Sequence, residues 1–227
     1  IKMIRILDMV FSGLALLVFL PFLIPVAVVL RLTGEGEVFY VQSRLGLDGV
    51  PFGLIKFATM LKDSPKQGAG EVTVRNDPRV LPVGRFLRKT KINELPQLLN
   101  ILRGDMSVIG PRPQTQRCFD AFPMKAQQAI TSVRPGLSGV GSIMFRDEEA
   151  VMQAHQDPNH FYDRVVMPYK GEVEVWFVKN RSFWLYLYLI IMTCVVILFP
   201  RWDLRRGILR QLPEMPSELK SAFEQAL

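Results

Sequence analysis

The stretch Met9–Leu30, MVFSGLALLVFLPFLIPVAVVL, decides the architecture of this chain because it holds no charged residue over its whole length. A helix needs about 20 apolar residues to cross the hydrocarbon core of a bilayer. Basic side chains bracket the stretch, with Lys2 and Arg5 before it and Arg31 after it. The sequence therefore predicts a protein that is attached to a membrane near its N-terminus.

Two prolines, Pro21 and Pro25, predict that this helix bends inside the membrane. Each lacks a backbone N–H and crowds the preceding turn, so a helix kinks where they occur. A helix that enters, bends there and returns keeps both basic flanks on one side, as the positive-inside tendency favours. This predicts a re-entrant membrane helix over residues 1–35. A single-span anchor is the alternative. A cleaved signal peptide is disfavoured because no small-residue cleavage site follows the run.

A second apolar run, Phe183–Phe199, is about 25 Å long as a helix. Aromatic residues crowd its start and arginines follow its end, a pattern typical of the headgroup region. We expect the segment 183–200 to lie at the membrane interface or to insert shallowly, with burial in the protein core as the alternative. Residues 36–182 then form a domain between the two apolar runs, and residues 201–227 form a basic, then amphipathic tail.

Composition narrows the function classes. The chain has 227 residues, is 49% hydrophobic and carries a formal net charge of +7. Such an apolar chain is not intrinsically disordered. The chain has only two cysteines, Cys118 and Cys194, which lie far apart with no CxxC motif and no His nearby, so we expect neither a disulfide scaffold nor a zinc site. Apolar and basic character together favour a membrane surface over nucleic acid as partner, so we expect no nucleic-acid partner.

The region between the apolar runs is predicted to be a mixed, mainly α-helical domain with a small β-hairpin. Strand-forming residues at 38–41 and 52–57 flank Asp48-Gly49, which is a hairpin turn signal. A helical stretch is expected at about 145–156.

The segment Gly84–Pro113, GRFLRKTKINELPQLLNILRGDMSVIGPRP, carries the densest functional signal. Its leucines recur at helical spacing and predict a helix over 93–103, with Asn93 as N-cap. The N–H groups of such a helix start, beside several basic residues, suit a phosphate or diphosphate. Glu94 there could ligate Mg²⁺ alongside phosphate oxygens, and Arg112 could add a fork-shaped contact. The alternative is that Asn93 only caps and Glu94 only complements the helix dipole.

This segment resembles the signature of the bacterial sugar transferases, the monotopic phosphoglycosyltransferase superfamily. The matching motifs are Arg88-Lys89-Thr90-Lys91-Ile92-Asn93-Glu94-Leu95-Pro96-Gln97, Asn100-Ile101-Leu102-Arg103-Gly104-Asp105-Met106-Ser107 and Gly110-Pro111-Arg112-Pro113. Further matches are Gln42 with Arg44 and Gly46, Lys56-Phe57 with Thr59-Met60, Asn76-Asp77-Pro78-Arg79 and Arg134-Pro135-Gly136-Leu137-Ser138-Gly139. The resemblance covers about residues 1–200.

The resemblance implies an enzyme on the cytoplasmic face of the bacterial inner membrane, with residues 36–182 as its cytoplasmic catalytic domain. Such enzymes transfer a phospho-sugar from a UDP-sugar to a polyprenyl (undecaprenyl) phosphate, release UMP and require Mg²⁺. In the family an Asp attacks the phosphate that bears the sugar, and the following Glu holds the metal. By this resemblance Glu94 is the metal ligand. The residues expected to contact substrate are Lys56, Arg88, Gln97, Arg112 and Arg134.

The chain departs from the family pattern at Asn93, which occupies the position of the nucleophilic Asp. A carboxamide is a poor nucleophile, so the covalent route loses its attacking group. Three interpretations stay open: an inactivated Asp-to-Asn variant, a natural branch with direct transfer, or a non-catalytic substrate-binding or scaffolding relative. Asp147-Glu148 is a second acidic pair, which we expect to cap the following helix. The sugar is not readable from the sequence, and the oligomeric state, a homodimer among the options, stays open.

Overall fold

The computed structural model describes residues 2–33, 35–64, 77–146, 148–153, 158–199 and 211–226, and within them the fold is mainly helical, as predicted. The helices are α1 (Lys2–Leu32), α2 (Pro82–Lys89), α3 (Gln97–Arg103), α4 (Gln116–Asp120), α5 (Met124–Thr131), α6 (Val140–Met144), α7 (Glu148–Gln153), α8 (Pro158–Phe161), α9 (Met167–Lys179), α10 (Phe183–Leu198) and α11 (Ser217–Ala226). The strands are β1 (Phe39–Leu45), β2 (Pro51–Phe57), β3 (Ser107–Ile109) and β4 (Gly136–Ser138).

The predicted hairpin is confirmed. Strands β1 and β2 pair with each other, and a short 3-10 turn, Leu47–Gly49, connects them. Asp48 has φ 56° and Gly49 has φ 73°. Asp and Gly are among the residues that adopt this left-handed conformation most readily, which is why Asp-Gly marks hairpin turns.

The chain divides into two compact units. The first unit comprises Ile1–Ser43 and Gly53–Asp105, and the second comprises Arg44–Phe52 and Met106–Leu227. The predicted division at residues 35, 182 and 200 rests on expected membrane contact, and it stays a prediction.

Helix α1 of the first unit is long and apolar enough to cross a membrane, and most of its surface lies open. It continues as an α-helix through Pro21 and Pro25. Near its C-terminal end Leu30 is buried with Phe57 and Leu87. Near its N-terminal end Arg5 donates hydrogen bonds to the carbonyl oxygens of the last turn of α3, where a cation also complements the helix dipole. This exposed apolar helix indicates a membrane protein.

Asn100 on α3 fastens that helix to the hairpin. It is fully buried, and its Oδ1 accepts a hydrogen bond from the N–H of Ile55. Its amide nitrogen donates to the carbonyl oxygen of Gly53 at 2.8 Å and to the carboxylate of Asp105 at 3.0 Å. Gly104 ends α3 with φ 100°. Asn100 of the matched motif at 100–107 therefore has a structural role.

A short parallel sheet organises the second unit, and the sequence patterns did not predict it. Strands β3 and β4 pair with Ser107 opposite Gly136 and Ile109 opposite Ser138. Helices α5 and α9 enclose a core around Phe122, Ile130 and Met167. Because each strand has only three residues, neither shows enough alternation to be recognised from sequence.

The predicted helix over the second apolar run is confirmed as α10. One face is buried through Tyr186, Leu189 and Met192, whereas Trp184 and Leu198 are exposed. The helix is therefore neither wholly core nor wholly surface. Helix α7 lies within the predicted helical stretch at 145–156, but Asp147, the expected cap, lies outside the described residues, as do residues 201–210 of the tail.

Candidate functional site

The residue pair Asn93 and Glu94 lies in a 3-10 turn, Ile92–Glu94, and not in helix α3. Helix α3 begins only at Gln97, and Pro96 occupies its N-cap position without a side-chain hydrogen bond. The prediction that Asn93 caps a helix over 93–103 is therefore wrong. The leucine spacing predicted the helix, but a proline at the fourth position of that stretch shifts the start of the α-helix beyond itself.

A left-handed residue sets the direction of this turn. Lys91 has φ 61° and ψ 9° and separates the end of α2 from the 3-10 turn. A non-glycine residue in this region is uncommon and costs roughly 1–2 kcal/mol. Such strain persists only where the surrounding structure enforces it, and it occurs often at functional sites. The chain thus reverses sharply just before Asn93.

Asn93 holds a buried oxygen that has no hydrogen-bond partner in the part of the chain that the structure describes. The residue is 7% exposed, and among the described residues no donor reaches its Oδ1. A buried acceptor without a partner costs about 1–3 kcal/mol. Buried polar atoms are satisfied in most folded proteins, so this oxygen is suited to a partner that a ligand supplies.

Four other predicted site residues belong to the first unit, and three of them lie near this turn in sequence. Glu94 is half-buried, and Gln97 is buried at the first position of α3. Arg88 lies in the last turn of α2, half-buried, with Nη1 3.6 Å from Sδ of Met60. Lys56 lies on another element, β2, and is half-buried. The structure thus gathers Asn93, Glu94 and Gln97 at one junction and places Lys56 on a separate strand.

Arg112 and Arg134 belong to the second unit, where the backbone holds their loops together. Gly136 donates its N–H to the carbonyl oxygen of Pro111 at 2.8 Å. A Cβ on Gly110 would lie 2.6 Å from the carbonyl oxygen of Arg134, which is too close for any other residue. The two motifs, 110–113 and 134–139, are therefore one packed backbone structure, and each carries a half-buried arginine.

Sequence reasoning missed a buried charge cluster on α9. Lys170 Nζ lies 2.9 and 3.0 Å from the two carboxylate oxygens of Glu148, and Glu174 is 2% exposed. Burial raises the pKa of the Glu174 carboxyl to about 7, although Lys170 and a backbone hydrogen bond from Arg112 oppose the shift. Burial also raises the pKa of Tyr162 to about 12. The segment 167–179 contains charged and apolar residues without a clear period, so the sequence showed no signal for this cluster.

The donors near Asn93 limit the kind of metal site that the first unit offers. The described parts of the chain contain no group of three or more His, Cys, Asp or Glu side chains that could hold a metal ion. Mg²⁺ is usually bound through one or two carboxylates together with substrate phosphates and water. The half-buried carboxylate of Glu94 and the unsatisfied Oδ1 of Asn93 are hard oxygen donors that fit such a substrate-completed site.

Comparison with known proteins agrees with these motifs. The family model described as bacterial sugar transferase matches residues 2–200. A UDP-glucose:undecaprenyl-phosphate glucose-1-phosphate transferase of Caulobacter vibrioides is 40% identical over 143 residues, which are 61% of this chain and 52% of that protein. A UDP-N-acetylgalactosamine-undecaprenyl-phosphate N-acetylgalactosaminephosphotransferase of Aeromonas hydrophila is 33% identical over 196 residues, 85% of this chain and 43% of that protein.

A third relative is closer in length. The exopolysaccharide production protein ExoY of Rhizobium meliloti is 35% identical over 158 residues, which are 63% of this chain and 70% of that protein. The chain spans about half the length of the other two relatives.

Proposed function

Because this chain belongs to the bacterial sugar transferase family, we propose that it transfers a sugar phosphate from a UDP-sugar to undecaprenyl phosphate and releases UMP. The match over residues 2–200 carries this proposal, since it includes both the Asn93–Glu94 turn and the loops of Arg112 and Arg134. The product, an undecaprenyl diphospho-sugar, is the kind of lipid-linked intermediate from which surface glycans are built.

The transfer is direct in this proposal. An oxygen of undecaprenyl phosphate bonds to the phosphorus that carries the sugar. The bond from that phosphorus to the oxygen shared with the uridine phosphate breaks, and UMP leaves with that oxygen. Asn93 has a neutral carboxamide and orients the reacting phosphate. Phosphoryl transfer depends mainly on positioning and charge stabilisation, so it does not require a protein nucleophile.

Mg²⁺ is the proposed cofactor. Glu94 and Oδ1 of Asn93 would hold it, together with phosphate oxygens of the substrate. When bound, it would neutralise charge that develops on the phosphoryl oxygens. The proposal is supported by the hard oxygen donors of this turn and by the buried Oδ1, which lacks a donor among the described residues.

The basic side chains bind the substrates. Arg88, Lys56 and Gln97 in the first unit and Arg112 and Arg134 in the second are the proposed contacts to diphosphate, nucleotide or prenyl phosphate. Arginine forms two parallel hydrogen bonds to a phosphate. The backbone hydrogen bond of Gly136 to Pro111 supports a fixed presentation of Arg112.

A second candidate function is substrate binding without turnover. The presence of Asn93 favours it, because a carboxamide cannot form the covalent phospho-sugar adduct. The two candidates differ in whether UMP is released at all.

An assay of UMP release separates them. Purified protein in detergent is incubated with Mg²⁺, undecaprenyl phosphate and either UDP-glucose or UDP-N-acetylgalactosamine, the sugars named for the relatives. Direct transfer predicts UMP release and no change in the intact protein mass with UDP-sugar alone. Asn93→Asp is the informative variant, and Asn180→Asp, the same change at an exposed helix end, is its control. No UMP from the wild type with any sugar, but release from Asn93→Asp, would refute turnover by the natural chain.

The membrane arrangement that we propose is monotopic. Helix α1 enters the lipid, bends at Pro21 and Pro25 and returns, α10 lies at the interface, and the remaining chain faces the cytoplasm at the inner membrane. The missing backbone N–H groups of both prolines support the bend. In chains without native cysteines, Met3→Cys and Glu35→Cys should both react with an impermeant maleimide from the cytoplasmic side only. Labelling of one of the two from the opposite side would show a spanning helix instead.

A further inference from the structure

Glu174 in the second unit lies against the loop that carries Arg112. The side chain belongs to α9, is 2% exposed and accepts a hydrogen bond from the backbone N–H of Arg112. Its Oε2 is buried, and no donor of the described residues reaches it. A buried acid is rare unless its polar atoms are engaged. The hydrogen bond to the loop is thus one of the polar contacts that engage this carboxyl.

A glycine on a neighbouring helix makes room for this carboxyl. A Cβ built on Gly141 of α6 would overlap Oε1 of Glu174, so any larger residue would displace the carboxyl group. The requirement is for space, since no positive φ is involved. The fit between Gly141 and Glu174 therefore fixes where the acceptor for the Arg112 N–H stands.

The charged neighbours of Glu174 are Lys170 and Glu148, which form an ion pair with each other. Lys170 on the same helix bonds both oxygens of Glu148 from α7, and its Nζ lies 5.2 Å from the ring centre of Phe145. The ring of Tyr162, from the π-helical turn before α9, lies 5.9 Å from the same Nζ. Helix α6 carries no ionisable residue, and Lys125 of α5 is exposed. Ionisation of Glu174 adds a buried negative charge, which the positive charge of Lys170 and the loop N–H of Arg112 both stabilise.

We propose that Glu174 is a positioning residue: its carboxylate fixes the backbone of Arg112 and so aims that guanidinium at the substrate diphosphate. The inference rests on the proposed function for the role of Arg112, but the loop contact itself is independent of it. A raised pKa of about 7 for Glu174 supports a dependence on pH. The ionised form accepts the stronger hydrogen bond, so the loop should be held more firmly as pH rises from 6 to 8.

A spectroscopic experiment tests the positioning without any substrate. The full chain, labelled with ¹⁵N-arginine in lipid nanodiscs, is titrated from pH 5.5 to 8.5, and the Arg112 amide signal is assigned with Arg112→Lys. The signal should move with a midpoint near the pKa of Glu174 in the wild type and in Glu172→Gln, a control on the exposed face of the same helix. It should not move in Glu174→Gln, which keeps an acceptor oxygen. The proposal is overturned if the Arg112 signal of the wild type does not change with pH, or if it titrates equally in Glu174→Gln.

A kinetic experiment tests the consequence. The KM for UDP-sugar should fall on the order of fivefold from pH 6 to 8 in the wild type, as one hydrogen bond becomes charge-assisted, and the Glu174→Gln enzyme should lose that change. Gly141→Ala should raise KM with little change in kcat. If the KM of the wild type does not change between pH 6 and pH 8, Glu174 does not act through Arg112. If no variant releases UMP, the proposed function fails, while the Arg112 titration still decides the positioning.

Discussion

The turn at Asn93 and the cluster at Glu174 each bury an oxygen that no donor among the described residues reaches, yet their surroundings differ. Asn93 stands between a strained lysine and a half-buried glutamate at the junction of short elements. Glu174 is enclosed by helices beside a buried ion pair. In our proposals the oxygen of Asn93 binds a ligand, whereas the carboxyl of Glu174 holds the backbone of Arg112. The comparison teaches that an unsatisfied atom indicates function only together with its access and its neighbours.

The largest effect is expected from Lys170→Met, which removes the cation of the buried cluster. Glu148 and Glu174 would then lack a positive partner, and breaking a buried pair costs about 3–5 kcal/mol of stability. Urea unfolding followed by fluorescence measures this change, with Lys179→Met at the exposed end of the same helix as control. A loss below about 1 kcal/mol would show that the cluster does not stabilise the second unit.

Glu174→Gln should change how stability depends on pH. The folded pKa of about 7 lies above the ordinary 4.5, so the folded state holds this proton more tightly. The resulting stability is fully present below about pH 4.5 and is lost as pH rises through 7. Between pH 4 and pH 8 the difference in unfolding free energy, variant minus wild type, should therefore rise by about 3 kcal/mol. Parallel curves for both proteins would refute the buried titration.

Glu94→Gln should act on activity and leave the fold intact. Loss of the only carboxylate in the Asn93 turn should lower UMP release on the order of 100-fold, as for other groups that stabilise transition-state charge. Because Glu94 is half-buried at a turn, the unfolding free energy should change by less than about 1 kcal/mol. Activity at the wild-type level over a range of Mg²⁺ concentrations would remove Glu94 from the site.

The smallest effect is expected for the stability of Asn93→Ala. The variant removes a buried oxygen that forms no hydrogen bond among the described residues, so the relief offsets the lost packing and the net change stays within about 1 kcal/mol. Asn100→Ala is the matched comparison. It leaves the Ile55 N–H and the Gly53 carbonyl without their side-chain partner and should cost about 2–4 kcal/mol. Equal losses in the two variants would mean that Asn93 has a structural partner.

The local elements followed from sequence where a pattern was long or had distinctive turn chemistry. The Asp48-Gly49 hairpin and helix α10 were predicted because a turn dipeptide and a long apolar run are strong local signals. The start of α3 was misplaced because Pro96 and the left-handed Lys91 together favour a 3-10 turn over a longer helix. The β3–β4 pair was missed because its strands are short and lie 29 residues apart at Ser107 and Gly136.

The family, the membrane anchor and the residue types of the candidate site are determined by the sequence alone. Motif residues and apolar length are local properties of the chain, and they do not depend on how distant segments pack. Only the tertiary structure decided that Oδ1 of Asn93 is buried without a partner among the described residues, that Gly110 and Gly136 pack the two arginine loops together, and that Glu174 meets the Arg112 backbone. Burial and hydrogen bonding depend on which distant segments come together. For these residues no local sequence pattern predicts those contacts.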